Sequence, residues 1–341
     1  MSKNGIAVAG NMIVDILYRV QGLPMPGELT TIQEGFSRSS GGALCNVITD
    51  LAKLDASLPL TAIGRLGTDA EGDFILSRLR EYRNVDTSNI KRDGITSFTS
   101  VMADEISKQR SFFHYRGANA FFSENDICWD TIKADFLHIG YILLLDTLDM
   151  EDNEFGTRMA RLLFHAREHG IKTSVDVVSE NGTRFVSHVP PALKYTDYCI
   201  INEFEAEKTT GVILRDGKKN LVFSNIKTAL EKLKRYGVSS WAVIHSPEGG
   251  FGLDVVGNYE EIPSLKTPDG YIKGTVGAGD AFCSGVIYGA YKGLSLRESL
   301  EMGTATAACS LSEPGATEGM RSAREAMALY RKFRKEPGAF L

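Results

Sequence analysis

Cysteine is scarce and scattered in this 341-residue chain: Cys45, Cys128, Cys199, Cys283 and Cys309 form no CxxC pair and no Cys/His cluster. That spacing excludes a zinc ribbon or finger and offers no disulfide framework. An odd, unclustered set fits a reducing cytoplasm. Long apolar runs are missing too. None reaches the roughly 20 residues that cross a bilayer, and the N-terminus lacks the charged-then-apolar layout of a secretory signal. A cytoplasmic location with no membrane partner is therefore expected. Positive charge is in deficit, with a formal net charge of -5, which removes any general attraction for nucleic acid. Two glycine motifs are absent as well. There is no GxxxxGK[ST], hence no Walker A loop, and no GxGxxG behind an early strand, hence no dinucleotide fingerprint. Internal repeats and low-complexity segments do not occur.

What remains is an ordinary globular composition, 43% hydrophobic and 24% charged, at a length that allows one large domain or two. The most informative stretch is Gly274-Thr275-Val276-Gly277-Ala278-Gly279-Asp280-Ala281-Phe282. Its glycines rule out a strand or helix interior. Behind them Ala281, Phe282, Val286, Ile287, Ala290 and Tyr291 recur at helical spacing, so a loop opens directly into a helix. The first-turn N–H groups and the dipole of that helix make an anion site, which Gly277 and Gly279 would let a phosphate approach closely. Asp280 has two readings. It is an ordinary helix-start carboxylate, or it is a base that takes a hydroxyl proton while backbone amides hold a migrating phosphoryl group. The dipole is expected to keep it ionised and weakly basic. Phosphoryl transfer tolerates a weak base, because its loose transition state asks mainly for positioning and charge stabilisation.

Residues 6–10 read as a buried strand, and Asn11 and Asp15 follow it. Open α/β sheets bind ligands beyond the carboxyl ends of their strands, which places both residues well for a site. The plainer reading makes Asn11 a turn residue and puts Asp15 on a solvated strand face. Strand-like segments 12–20 and 29–36 flank Pro24, Pro26 and Gly27, and segments 97–103 and 110–115 form a hairpin. Together they predict a small sheet projecting from the main body. Arg110, His114 and Arg116 there suit either a solvated edge or the inner face of a lid. Gly41 and Gly42 precede a helix whose face carries Ala43, Val47, Leu51 and Leu54, with Asn46 in its first turns. Asp69 caps the helix that carries Ile75, Leu76 and Leu79. From residue 136 onward strands and helices alternate, as a mostly parallel sheet requires. Strands are expected at 136–140, 172–178, 198–201 and 241–245, with helices across 155–169 and near 296–311, and a charged surface helix over 321–335. Asp176 at a strand end is a cap or a site residue. Asn202 and Glu205, three apart at a helix start, face the same way, although acidic first turns are favoured by the dipole alone.

GAGDAF opening a late helix, GGxxxN over residues 41–46 and NxxE over residues 202–205 stand in this order, and the chain resembles the ribokinase-like (PfkB) carbohydrate kinases over nearly its whole length. The resemblance implies an α/β three-layer sandwich with a central, mostly parallel sheet (residues 1–11, 39–94 and 119–341). It also implies a small β-sheet lid (12–38 and 95–118) that often pairs between subunits, so a homodimer is expected. The implied reaction is transfer of the ATP γ-phosphate to a primary hydroxyl of a sugar or sugar acid. Asp280 would be the base, and Gly277, Ala278 and Gly279 would hold the phosphoryl group. Asn11, Asp15, Gly41, Gly42 and Asn46 would bind the acceptor, and Arg116, at the return from lid to core, would meet the sugar or its anionic group. Asn202 and Glu205 would support Mg2+ through water. His245, Ser246, Gly249 and Gly250 would border the nucleotide, with small residues near 313–316 closing the adenine pocket. One position departs. Relatives carry DTxGAGD, and Gly274 stands where that aspartate would be, which argues against activation by a monovalent cation. The acceptor stays open among ribose, fructose and a ketodeoxy sugar acid. A nucleoside kinase of the same fold and a non-catalytic sugar sensor are the alternatives, the second disfavoured by the intact Asp280 and anion loop.

Overall fold

A computed structural model describes residues 4–107 and 109–335. In chain order the elements are β1 (Ile6–Gly10), β2 (Ile13–Val20), β3 (Ile32–Gly41), α1 (Ala43–Leu54), β4 (Leu60–Leu66), α2 (Ala70–Leu79), β5 (Val85–Arg92), β6 (Phe98–Asp104) and β7 (Arg110–Tyr115). After a run of short 3-10 turns come β8 (Phe136–Ile142), α3 (Asp146–Asp149), the two-residue strands β9 (Glu151–Asp152) and β10 (Gly156–Thr157), α4 (Arg158–Glu168), β11 (Lys172–Val177) and α5 (Phe185–Leu193). The chain continues through β12 (Tyr198–Asn202), α6 (Glu203–Thr210), α7 (Phe223–Tyr236), β13 (Trp241–Ser246), β14 (Gly249–Leu253), β15 (Tyr259–Pro263), α8 (Ala278–Lys292), α9 (Leu296–Ser310) and α10 (Ala323–Phe333).

Nine strands form one sheet in the order β15-β14-β13-β12-β11-β8-β1-β4-β5. It is parallel from β13 to β5; at one edge β14 is reversed, so the β13–β14 and β14–β15 pairs are antiparallel. In β1, Ile6–Ala9 are apolar and buried at every position because helices cover both faces. Ile6 and Val8 of β1 join Leu44, Ile48, Leu51, Phe282, Val286 and Leu300 on one face. Ala7 and Ala9 join Leu162, Leu163, Val189, Leu193, Leu230 and Leu233 on the other. Each such large side chain contributes roughly 1.5–3 kcal/mol by leaving water. The result is a three-layer α/β sandwich. The chain leaves β1 toward β4 and β5 on one side, then returns to β8 and proceeds through β11, β12 and β13 on the other. Strand order therefore reverses at β1/β8, and a crevice opens beyond the carboxyl ends there.

The remaining strands make a separate four-stranded sheet in the order β3-β2-β6-β7. It is antiparallel except for the parallel β2–β6 pair. Phe36, Phe112, Phe113 and Leu29, in or beside it, are exposed.

Three local expectations shift. The helix expected across 155–169 begins at Arg158, because β9 and β10 pair first and the Thr157 side chain then accepts from the Ala160 N–H. The strand expected at 29–36 is β3, running from Ile32 to Gly41, with Glu34 and Gly35 at positive φ where its register against β2 shifts. The tail helix is narrower than 321–335 and half-packed, since α10 buries Ala326, Leu329 and Tyr330. Asp69 caps α2 as expected, accepting from the Gly72 N–H at 2.9 Å. Among the described residues, no helix is long and apolar enough to cross a membrane.

Candidate active site

The anion loop ends at Gly277, which precedes α8 in the left-handed region at φ 76°. A Cβ there would lie 2.6 Å from the Ala316 side chain, so only glycine fits both the backbone and the space. This turn exposes the first N–H groups of α8, and Gly279 lines both cavities of the crevice. Asp280 sits in this first turn without capping it. Only 6% of its surface is exposed. Its Oδ2 accepts from Asn46 Nδ2 at 2.8 Å, and its Oδ1 accepts from the Tyr141 hydroxyl at 2.6 Å. Burial pushes the carboxyl above its ordinary value, against the two hydrogen bonds, which pull it down. The expected weak base is therefore corrected: desolvation outweighs the field of the helix end.

A cavity of about 280 Å³ lies in front of Asp280. Gly277, Gly279, Tyr141, Asp176, Ser179, Asn202, Glu205 and His245 share it, from the ends of β8, β11, β12 and β13 and the start of α8. Asn202 and Glu205 make a reciprocal cap, each side chain accepting from the other's backbone N–H at 2.9 Å. Asn202 Nδ2 and the Ser179 hydroxyl both donate to Glu205 Oε1, at 2.7 and 2.6 Å. The pair therefore caps α6 while both side chains also line the cavity. Burial raises Glu205 to about 7 and lifts Asp176 well above its ordinary value, where the charges of Glu205 and Asp280 add to the effect. Among the described residues, three carboxyl groups face this cavity and no lysine or arginine lines it. Such a wall suits a divalent cation. Among the described residues no cluster of three or more His, Cys, Asp or Glu is arranged to grip one directly. Oxygen donors of this kind fit a divalent cation that keeps some of its own waters.

A larger cavity of about 490 Å³ adjoins on the far side of Gly279. His245, Ser246, Gly249 and Ala278 form its polar end, and Leu265, Ile272, Ala307, Ala308 and Leu311 form its apolar end. Burial holds His245 neutral, down at about 4, with its ring 5.0 Å from that of Phe282. Gly250 stands apart from this cavity: it lies under Phe282, whose ring would be 2.6 Å from a Cβ at that position. The apolar wall comes mainly from α9 and the loop after β15 rather than from residues 313–316. At Gly274 a Cβ would lie 2.7 Å from the Pro314 carbonyl oxygen, so the loop has no room for an aspartate.

The other expected residues gather on the opposite side. Asn46 on α1 bonds Asp280 across 234 residues of sequence, and its Oδ1 has no partner among the described residues. Asn11, 1% exposed, accepts from the Ala43 N–H at 3.2 Å and so ties the end of β1 to the start of α1, rather than shaping a local turn. Gly42 caps α1 at φ 88°, and Gly41 ends β3 with Asp15 Oδ2 2.5 Å from where a Cβ would be. Burial raises Asp15 to about 6 against a hydrogen bond with Thr99, whose hydroxyl contacts His114 Nδ1 at 3.0 Å. Arg116 lies elsewhere, donating to the Leu144 carbonyl at 3.0 Å with Asp146 at 3.8 Å. Two groups close to Asp280 went unnoticed in the sequence. Tyr141 directly follows the expected strand at 136–140, the place where a ligand-facing residue belongs. Asp50, one turn beyond Asn46, is fully buried with both oxygens unpartnered among the described residues.

Helix amides beside a buried carboxylate, with room for two ligands at the switch point of a parallel sheet, define a class of enzyme that moves a charged group onto a hydroxyl. The family is narrower. A family model described as pfkB family carbohydrate kinase matches residues 3–323, so the chain belongs to that family and is a sugar kinase, a phosphotransferase with an alcohol acceptor. It is 22% identical over 336 residues to the 5-dehydro-2-deoxygluconokinase of Listeria innocua, covering 96% of both chains. The structure of Arabidopsis thaliana ribokinase complexed with ribose and ATP matches with a TM-score of 0.79 at 21% identity, covering 97% of this chain and 99% of that one. The nucleoside kinase of Methanocaldococcus jannaschii matches with a TM-score of 0.74 at 17% identity, covering 97% and 99%. At such identities the structural likeness speaks for the fold alone.

Proposed function

We propose that this protein uses ATP to phosphorylate a primary hydroxyl of a sugar acid of the ketodeoxy type. The observation that carries the kinase chemistry is the contact of Asn46 with Asp280 beside the open amides of α8. It joins the acceptor side to the phosphate side at one carboxylate. The sugar-acid reading rests on a relative over full length that is named for 5-dehydro-2-deoxygluconate.

In this reading the adenine lies between the apolar wall of Leu265, Ile272, Ala307 and Ala308 and the polar end at His245, Ser246 and Gly249. The phosphates run toward Gly279. The amides of Gly277, Ala278 and Gly279 meet the oxygens of the migrating phosphoryl group, worth about 10²–10³ in rate for a single such donor. Asp280 accepts the proton of the attacking hydroxyl, and its raised carboxyl makes it a better base than an exposed aspartate. Asn46 and Tyr141 fix its orientation. Asp15, Gly41 and Gly42 face the acceptor from the small sheet, which we take as a lid made of residues 12–38 and 95–118. Its closure excludes water and limits wasteful hydrolysis. Magnesium, held through water by Asn202 and Glu205 and faced by Asp176, neutralises phosphate charge when bound. The exposed aromatics Phe36, Phe112 and Phe113 support pairing of two lids in a homodimer, which sedimentation tests. The five free cysteines, four of them buried, support a cytoplasmic location.

The test is ATP-dependent phosphorylation of a panel of ketodeoxy sugar acids, ribose, fructose and nucleosides. Turnover restricted to sugar acids is the expected result. Turnover of neutral sugars or of nucleosides alone would replace the acceptor, and saturable binding of a sugar without turnover would make the protein a sensor.

A further inference from the structure

Tyr141 belongs to none of the motifs that define the site, yet its hydroxyl makes the shorter of the two hydrogen bonds to Asp280. We propose that Tyr141 is a positioning residue for phosphoryl transfer, aiming the Asp280 carboxylate and keeping it ionised by donating a hydrogen bond to it, while a strained turn behind it holds the hydroxyl in place. This inference rests on the kinase reading and adds a residue to it.

The donor direction is fixed by chemistry. Tyr141 is half-buried with Asp280 and Asp176 nearby, and both desolvation and these charges hold its phenol protonated. A phenol bonded to a carboxylate makes one of the stronger hydrogen bonds available to side chains. A carboxylate offers about four lone pairs. Tyr141 occupies one on Oδ1 and Asn46 one on Oδ2, so the acceptor hydroxyl still finds a free position.

The turn that follows gives the hydroxyl its fixed place. Leu143 is a fully buried, non-glycine residue at φ 76°. Such a conformation persists only where the surroundings over-determine it. Here they do. The Leu143 N–H donates to Asp149 Oδ1 at 2.9 Å, Arg184 donates to the Leu143 carbonyl at 2.7 Å, and Arg116 donates to the Leu144 carbonyl at 3.0 Å. Two arginines grip consecutive carbonyls just beyond Tyr141. This gives Arg116 a role in the kinase different from contact with the acceptor.

The other titratable groups around Asp280 are Asp50 on α1, Asp176 on β11, Glu205 on α6, His245 on β13 and Cys283 on α8. None of them is itself substituted in Tyr141→Phe, so the comparison with wild type removes one hydrogen bond to Asp280 directly. Turnover of the acceptor found in the panel is measured from about pH 5.5 to 9 with saturating magnesium, alongside binding of a non-hydrolysable ATP analogue. Loss of a donor to the carboxylate raises its pKa, so the acid limb of kcat moves up by about one pH unit. On the acid side of that limb the variant is then about tenfold slower than wild type, and the gap narrows as pH rises past it. Binding of the analogue is unchanged. A limb that stays in place, or an equal loss at every pH, overturns the proposal. Arg184→Gln keeps the hydroxyl and frees the turn. It is expected to lower kcat and shift the limb in the same direction with analogue binding intact, and an unchanged kcat would overturn the part assigned to the turn. If wild type phosphorylates nothing in the panel, the kinase reading itself fails. A failure confined to these variants leaves that reading standing.

Discussion

The two halves of the crevice are built from different materials. The proposed nucleotide side is lined by backbone, at Ala278 and Gly279 of a helix start, and by an apolar slot of small residues on α9. On the acceptor side long-range side-chain contacts prevail: Asn46 to Asp280, Tyr141 to Asp280 and Asp15 to Thr99. A backbone site needs a local conformation, which glycine spacing encodes directly. A side-chain site needs distant segments to converge, and its chemistry can be retuned one residue at a time without disturbing the phosphate grip.

That contrast can be broken at Asp280, where the halves meet. Asp280→Asn is expected to lower kcat by about 10³-fold while ATP-analogue binding persists. Wild-type turnover in this variant would remove Asp280 from the mechanism. Next comes the backbone half. Gly277→Ala sets a methyl against Ala316 at a positive φ and is expected to cost about 10²-fold in turnover, together with weaker analogue binding. A variant that binds the analogue normally would mean that the loop needs no glycine there. A milder probe is pH. Glu205 is raised to about 7, and Asp15 and Asp149 to about 6. Through that window the native state binds more protons than the unfolded chain, so stability falls as pH rises. In the absence of metal and nucleotide the melting temperature should be about 2–5 °C higher at pH 5.5 than at pH 8. Below about pH 4 the depressed carboxyls of Asp55 and Asp152, both at about 2, reverse the trend. A flat or rising profile between pH 5.5 and 8 would contradict the burial of these acids. The smallest effect is none at all: exchanging potassium for tetramethylammonium should leave the rate unchanged, because Gly274 has no space for the missing carboxylate.

The same contrast explains what could be read without coordinates. The order of motifs placed Gly277, Gly279, Asn202, Glu205 and His245 around one cavity, and the strand–helix alternation announced the parallel sheet. Strand β5, polar and at the sheet edge, carried no such signal. The strength of Asp280 as a base was misjudged, since a helix dipole is visible in sequence and desolvation is not. Tyr141 looked like any tyrosine after a strand. The charge of Arg116 is legible in sequence, whereas its bond to the backbone carbonyl of Leu144 is not.

One continuity of the chain has a mechanical consequence. β3 runs to Gly41, Gly42 is the cap of α1, and Asn46 on α1 touches Asp280. The small sheet and the helix are thus one uninterrupted lever with its fulcrum at two glycines. If the small sheet swings as the proposed lid, its motion reaches Asn46 through those two glycines, and opening is expected to loosen the hold on the Asp280 carboxylate.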